Sequence, residues 1–401
     1  MDKKSELQIL HSYHVWLPLT MSWLYNQVKY LPKSVQSAIY CDRRITDSGY
    51  DLPNMYCLED ESFISSRINF YLRKAGLGRY SRHLRKTLRE HSFDVIHGHF
   101  GNMAWELLPA AKAESIPLIT TFYGLDINFL PRQRPVWYKR YPKLFDYTSL
   151  VLCEGPHMKQ KVRELGCPPE KIVVHHLGIE LDSIPFKKRI PDTEHTRILI
   201  AGSFREKKGI SYALEAIRNL VDEYDISVTI IGDANQNDSN KKEARKIREL
   251  MESPDLKPLI THLGFQPHDR LIEEALNHHI FLSPSVTASD GDTEGGAPVV
   301  LTEMAATGMP IVSSNHCDIP NIVHHEKNGL LAEERDTDQL ATHLRYLIDH
   351  PDLWEPMGRY GRQIAENAFD AHKQSHRLFE LYSAVINKTQ TPKDQNIRID
   401  V

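Results

Sequence analysis

An α/β protein built from two doubly wound, parallel-sheet domains is the fold class this chain predicts, and three observations predict it. Short apolar runs alternate with helical stretches almost throughout, the pattern of parallel strands covered by helices on both faces. The alternation breaks once, at residues 184–196, where Pro185, Lys187, Lys188, Arg189, Pro191 and Asp192 read as a linker. At 401 residues the chain is also too long for one ordinary core.

The elements follow in order. In the first half, strands are expected at Gln8-Ile-Leu10, 35–38, Val95-Ile-His97, Leu118-Ile-Thr-Thr-Phe122, Leu150-Val-Leu152 and Ile172-Val-Val174, with helices over 21–30 and 103–113. After the linker, strands are expected at Arg197-Ile-Leu-Ile-Ala201, Ile226-Ser-Val-Thr-Ile-Ile-Gly232, Leu259-Ile-Thr-His-Leu263, Ile280-Phe-Leu-Ser283 and Ile311-Val-Ser313. These strands end at Gly, Ser or Asp, where open α/β sheets carry their ligand loops. A final helix is expected over 371–386, followed by a polar, disordered tail. The expected domains are therefore 1–190 and 191–370, with a helix at 371–388 crossing back to the first domain and a tail at 389–401. Two such domains would leave a cleft suited to a two-substrate reaction.

Composition narrows the function. The chain is 41% hydrophobic and 25% charged, with a net charge of −4; that is globular and carries no basic field for nucleic acid. The start, Met1-Asp-Lys-Lys-Ser-Glu6, does not read as a signal peptide, and no apolar run nears the ~18 residues of a membrane span. Five cysteines without CxxC spacing fit free thiols in a cytoplasmic protein.

The most informative segment is Thr293-Glu-Gly-Gly-Ala-Pro-Val-Val-Leu-Thr-Glu-Met-Ala-Ala-Thr-Gly-Met-Pro-Ile-Val312. Pro298 suits a first helical turn, Gly308 a C-terminal cap, and Pro310 forbids continuation. A glycine loop before a helix N-terminus offers free N–H groups to an anion. Glu303, inside the helix, would accept hydroxyls of the same ligand. The plainer alternative is an ordinary strand–helix loop with one surface and one capping glutamate. Upstream, Ile198-Leu-Ile-Ala-Gly-Ser-Phe-Arg-Glu-Lys-Lys-Gly209 sets a Gly-Ser turn and Arg205, Lys207 and Lys208 ahead of another helix. This is either a phosphate cradle or a solvated basic loop. Both loops follow strands of one sheet, so both would face one site, and a diphosphate would suit it.

Taken together, the two loops, their order and their spacing resemble retaining glycosyltransferases of the GT-B fold, in the large family 4 (glycosyltransferase group 1), exopolysaccharide and colanic-acid-type branch. Glu303-Met-Ala-Ala-Thr-Gly-Met-Pro310 is similar to the segment that closes that family's Glu-x7-Glu motif. Asp94-Val-Ile-His-Gly-His-Phe-Gly101, Pro117-Leu-Ile-Thr-Thr-Phe-Tyr-Gly-Leu-Asp126 and Pro168-Pro-Glu-Lys-Ile-Val-Val-His-His-Leu-Gly-Ile-Glu180 also look like family segments, so the resemblance spans nearly the whole chain.

The resemblance implies roles. Glu303 would accept hydrogen bonds from the nucleotide ribose. Lys208 would neutralise the diphosphate and Glu294 would lie beside the donor sugar. Gly295, Gly296, Ala297 and Pro298 would shape the sugar and β-phosphate site, while Gly264 and Phe265 would line the base. It implies a nucleotide-diphosphate sugar as co-substrate, no metal or other cofactor, and a glycan, lipid-linked or small-molecule acceptor. The sequence departs from the family at three places. Eight residues rather than seven separate Glu294 from Glu303, and Gly296 could absorb the extra one as a bulge. Ser203 stands where the family has Arg, with Arg205 as the nearby basic replacement. Tyr123 stands where a His often faces the donor sugar; with a pKa near ~10, a tyrosine is a poor base at neutral pH.

Other features are weighed the same way. His97 and His99 lie two apart on a strand and so share a face; a metal pair would need ligands the sequence does not identify, and His99 is read as lining the acceptor or sugar site. The adjacent pairs His175-His176, His278-His279 and His324-His325 are read as structural, and Asp290-Gly-Asp292 as loop-shaping or sugar-contacting. Gly76-Leu-Gly-Arg-Tyr-Ser81 follows no strand and is rejected as a dinucleotide fingerprint. The basic run 67–89 is either a solvated helix face or a contact with anionic lipid at the inner face of a membrane. Two alternatives remain: a nucleotide-sugar epimerase or hydrolase on the same fold, and a non-catalytic sugar-nucleotide-binding protein.

Overall fold

The computed structural model describes residues 6–16, 21–45, 52, 54–60, 67–68, 71, 82–190, 195–234 and 241–390. The stretch 76–81, much of the basic run, part of the expected linker and the tail from 391 lie outside the described residues. The chain divides into two compact units, Met1–Gly178 with Ala371–Val401, and Ile179–Asp370.

The first unit holds β1 (Leu7–Ser12), β2 (Val15–Trp16), β3 (Val35–Cys41), β4 (Arg43–Arg44), β5 (Met55–Cys57), β6 (Val95–His99), β7 (Leu118–Thr121), β8 (Leu150–Cys153) and β9 (Ile172–Val174). Seven of these form a sheet in the order β5-β3-β1-β6-β7-β8-β9, and its pairings are parallel. Neighbouring residues of one strand enter cores on opposite faces. Leu10, Ile96 and Leu118 pack in one cluster; Ile9, Val95 and Ile119 pack in the other. This two-sided burial explains why the strands read as continuous apolar runs. The helix Ala371–Gln390 covers the second face with Leu378, Leu381, Tyr382, Val385 and Ile386.

The second unit holds β10 (Thr196–Ala201), β11 (Ile226–Ile231), β12 (Ile260–Gly264), β13 (Ile280–Ser283), β14 (Ile311–Ser314) and β15 (Gly329–Ala332). Their order is β12-β11-β10-β13-β14-β15, with parallel pairing. Ile198, Ile200 and Leu282 enter one core, and Leu199, Phe281 and Ile311 the other.

Three expectations need correction. The division falls between Gly178 and Ile179 rather than at 190, and the described part of the proline- and charge-rich stretch, 184–190, is not a free linker. Lys187 N–H donates to the Thr307 carbonyl, and buried Arg189 donates to Thr307 Oγ1 at 2.9 Å. That helix end supplies polar partners to residues whose composition alone suggests solvent. Finally, β5 and β15 were not anticipated: β5 is a three-residue edge strand, and β15 opens on glycine and lacks β-branched residues.

Candidate functional site

In the second unit β10 pairs with β11 on one side and β13 on the other, so the strand order reverses there. Loops leaving the C-terminal ends of β10 and β13 flank that switch point, where open α/β sheets bind ligands. In the first loop, fully buried Phe204 anchors the chain and Glu206–Lys208 make one 3-10 turn before the helix Ile210–Arg218. Gly209 joins them at φ 67°, and a Cβ there would stand 1.8 Å from the Pro284 carbonyl oxygen. Only glycine permits the two loops to approach this closely.

The second loop runs from β13 to the helix Val299–Thr307. Pro298 immediately precedes that helix and Gly308 closes it in a left-handed conformation. Within the loop Gly295 takes a left-handed conformation, with φ 80°. Thr293 Oγ1 accepts the Gly295 N–H at 3.1 Å, which curls the chain at that residue.

Charges across the two loops are paired. Lys208 Nζ lies 2.9 Å from Glu294 Oε1 and 3.0 Å from Oε2, and Ser285 Oγ donates to Oε1 at 2.9 Å. Burial would raise the Glu294 pKa, but the Lys208 and Lys207 charges and the Lys208 hydrogen bond outweigh it and hold the carboxyl at about 2. Arg205 and Lys207 reach buried Asp292 at 2.6 and 3.4 Å. Asp292 therefore ties the basic loop to the glycine loop, and Arg205 is engaged by a carboxylate.

Glu303 is buried inside the helix and its Oε1 meets His268 Nε2 at 3.0 Å. That hydrogen bond, against the effect of burial, raises the His268 pKa. Gly264 ends β12 and accepts the Gly232 N–H, while Phe265 beside it is exposed. Ser203 is half-buried, and its carbonyl accepts the Arg205 N–H.

In the first unit His99 and Tyr123 adjoin but are buried. His99 Nδ1 meets the Tyr123 hydroxyl at 2.9 Å and its Nε2 meets His11 Nδ1 at 3.1 Å. His97 bridges Tyr382 and Thr121 at 2.6 and 2.7 Å, and stacks on His99 with ring centroids 4.2 Å apart. Burial lowers the pKa of His11 to about 3 and that of His97 and His99 well below the usual value, so the cluster is uncharged at neutral pH. Among the described residues these three histidines are the group whose ligand atoms come near enough for one metal ion, yet hydroxyl and imidazole partners engage every ring nitrogen of the trio except His11 Nε2. His99 is thus a member of a buried network rather than an open lining residue. Burial also raises the Tyr123 phenol well above 10.

Sequence reasoning missed His268, Ser285, His316 and Asp126. Pro267-His268-Asp269 at a helix start was a usable signal for the first. Asp126 is buried, accepts the N–H groups of Gly101 and Tyr123 at 2.5 and 2.8 Å, and is pushed up to about 7 by burial despite those bonds. The basic helix Arg82–Glu90 turns Leu84 and Leu88 inward and Arg85, Lys86 and Arg89 outward; Arg89 pairs with Glu114 at 3.0 Å. No described helix is long and apolar enough to cross a membrane.

Comparison with known proteins defines the class. The Glycosyltransferase Family 4 model matches residues 21–183, and the model for glycosyl transferases group 1 matches residues 182–364. The amylovoran biosynthesis glycosyltransferase AmsK of Erwinia amylovora is 33% identical over 293 residues, covering 72% of this chain and 69% of the relative. WcaL of Escherichia coli strain K12, named for colanic acid biosynthesis, is 31% identical, covering 73% and 71%. The chain belongs to the family 4, group 1 glycosyltransferases, and is an enzyme of that kind. Its fold is GT-B: Anabaena Alr3699/HepE, solved with UDP and glucose, superposes with a TM-score of 0.73 at 15% identity, covering 94% of this chain and 100% of that one. Sucrose-phosphate synthase from Thermosynechococcus elongatus gives 0.71 at 15% identity, covering 95% and 100%.

Proposed function

We propose that this glycosyltransferase moves a hexose from a nucleotide-diphosphate sugar to a glycan or lipid-linked hydroxyl, with retention of configuration and without a metal ion. The observation that carries the reading is the Lys208–Glu294 contact at 2.9 Å between the two loops flanking the switch point. It brings a cation suited to a diphosphate against a carboxylate suited to a sugar. Glu303 holds the ribose, Phe265 and Gly264 flank the base, and Gly295, Gly296 and Ala297 offer N–H groups ahead of the helix that Pro298 introduces. Arg205 and Ser203 complete the phosphate side.

Breaking the glycosyl–phosphate bond leaves positive charge on the sugar and negative charge on the diphosphate. Lys208 and the helix-terminal N–H groups stabilise the leaving diphosphate, the task a metal ion performs elsewhere. The acceptor hydroxyl attacks from the face the phosphate leaves. Its oxygen forms the new bond to the anomeric carbon, and its proton passes to a departing phosphate oxygen. In this scheme Tyr123 contributes a hydrogen bond and not a base, and His99 supports Tyr123.

Relatives named for amylovoran and colanic acid biosynthesis support a role in exopolysaccharide assembly. A cytoplasmic enzyme with peripheral contact between the basic 67–89 segment and anionic lipid would fit a lipid-linked acceptor. The test is nucleoside diphosphate release from UDP-glucose, UDP-galactose and GDP-mannose, with and without polysaccharide-derived acceptors, in EDTA. Acceptor-dependent release that Lys208→Ala and Glu303→Ala each reduce at least ~100-fold is expected. Undiminished turnover in either variant overturns the donor-site assignment. Release independent of acceptor overturns transfer.

A further inference from the structure

The glycine loop is braced from outside itself. After β14 the chain runs Asn315-His316-Cys317-Asp318, and His316 and Asp318 grip the loop at Glu294 and Gly296. His316 Nε2 accepts the Glu294 N–H at 3.2 Å. The Cys317 sulfur lies 3.2 Å from the same His316 Nε2, and Asp318 N–H donates to the Gly296 carbonyl at 3.3 Å. Cys317 sits at φ 48°, an unfavourable region for a residue with a Cβ. Such strain persists only where surrounding structure over-determines it.

His316 is itself held. Its Nδ1 lies 2.6 Å from Glu334 Oε1, and its side chain is 1% exposed. The same Glu334 carboxylate accepts the Thr287 N–H at 2.7 Å. Thr287 and Glu294 belong to one loop, so the Glu334–His316 pair pins that loop at two points seven positions apart in sequence. The partners also select the ring's proton. A carboxylate at Nδ1 requires a donor there, and a backbone N–H at Nε2 requires a lone pair. Only the neutral Nδ1–H tautomer satisfies both.

We propose that His316, fixed in its Nδ1–H tautomer by Glu334, is the positioning residue that sets the Glu294 loop for the donor sugar. The inference rests on the reading above that Glu294 lies beside that sugar. His316 meets Glu294 at its backbone N–H, so it acts through the loop backbone. Its loss should therefore damage sugar transfer more than the grip on the free nucleotide, in which Lys208 and Glu303 also share.

The experiment compares wild type, His316→Leu, His316→Gln and Glu294→Gln. Turnover is read as nucleoside diphosphate release from UDP-glucose or GDP-mannose, and affinity as the Kd of UDP or GDP alone. His316→Leu should lower kcat at least tenfold and change the nucleoside diphosphate Kd by a smaller factor. His316→Gln should recover at least a third of wild-type kcat, because its amide can accept from Glu294 N–H and donate to Glu334. In the wild-type protein, nitrogen NMR should show His316 Nε2 unprotonated at pH 7.5, a measurement that stands even if His316→Leu does not fold. The proposal is overturned by an Nε2–H tautomer, by equal impairment of the Leu and Gln variants, or by wild-type kcat in His316→Leu while Glu294→Gln is impaired. Wild-type turnover in Glu294→Gln would overturn the underlying reading of Glu294 and this inference with it.

Discussion

Replacing Glu294 by Gln should tighten binding of a free nucleoside diphosphate while it cripples sugar transfer. Without ligand Lys208 is committed: its Nζ lies 2.9 Å from Glu294 Oε1, and a diphosphate must compete with that carboxylate for the same cation. The titration of the carboxyl sets the scale. Burial opposes its charge, yet Lys208 and Lys207 together bring it from the ordinary 4.5 down to about 2. At ~1.4 kcal/mol per pH unit this net shift amounts to roughly 3–4 kcal/mol. Lys207 supplies part of it and Lys208 is partly exposed, which leaves ~1–2 kcal/mol for the Lys208 contact. Removing the competitor should therefore lower the Kd for UDP or GDP about 5–30-fold. Isothermal titration at low ionic strength reads this directly. In parallel, kcat for the nucleotide sugar should fall at least ~100-fold, because the amide no longer offers negative charge beside the sugar as positive charge develops. If Glu294→Gln weakens nucleotide binding as much as Lys208→Ala does, the competition argument is refuted.

Three further outcomes follow from the same geometry. The depressed Glu294 pKa contributes stability that is present above pH 4.5 and is lost as the pH falls through about 2; the Tm gap between wild type and Glu294→Gln should narrow steadily over that window, and a constant gap would contradict it. Gly209→Ala, at φ 67° and with its Cβ 1.8 Å from the Pro284 oxygen, should cost more than ~2 kcal/mol in thermal unfolding and abolish nucleotide binding; an unchanged Tm would show that the loops do not meet there. Tyr123→Phe should keep kcat within about threefold, since a buried phenol held well above 10 is no base; a loss of ~100-fold would make the hydroxyl part of the reaction.

Much of the fold was legible because strands buried on both faces are apolar without interruption, as Ile198-Leu-Ile200 shows by sending neighbours into opposite cores. The ends of the helix Val299–Thr307 were legible because Pro298 and Gly308 act locally. What escaped reading depends on tertiary approach. Lys208 and Glu294 are 86 positions apart, and nothing local announces that they touch. His268 and Glu303 meet across 35 positions, and His316 reaches the Glu294 backbone from another strand's loop. Arg189 looked like a linker charge until Thr307 gave it a buried partner. His99 read as a lining residue, because its burial depends on His11 of β1 and on Tyr123 just beyond β7.

Glu303 gripping the donor ribose is the central contact of the donor site, and a double cycle tests it most directly. The Kd of UDP or GDP and of its 2′- and 3′-deoxy forms is measured for wild type and Glu303→Gln. If a ribose hydroxyl donates to Glu303, removing that hydroxyl should cost wild type about 10-fold or more and cost the variant almost nothing. Equal losses in both proteins would mean that Glu303 does not hold the ribose.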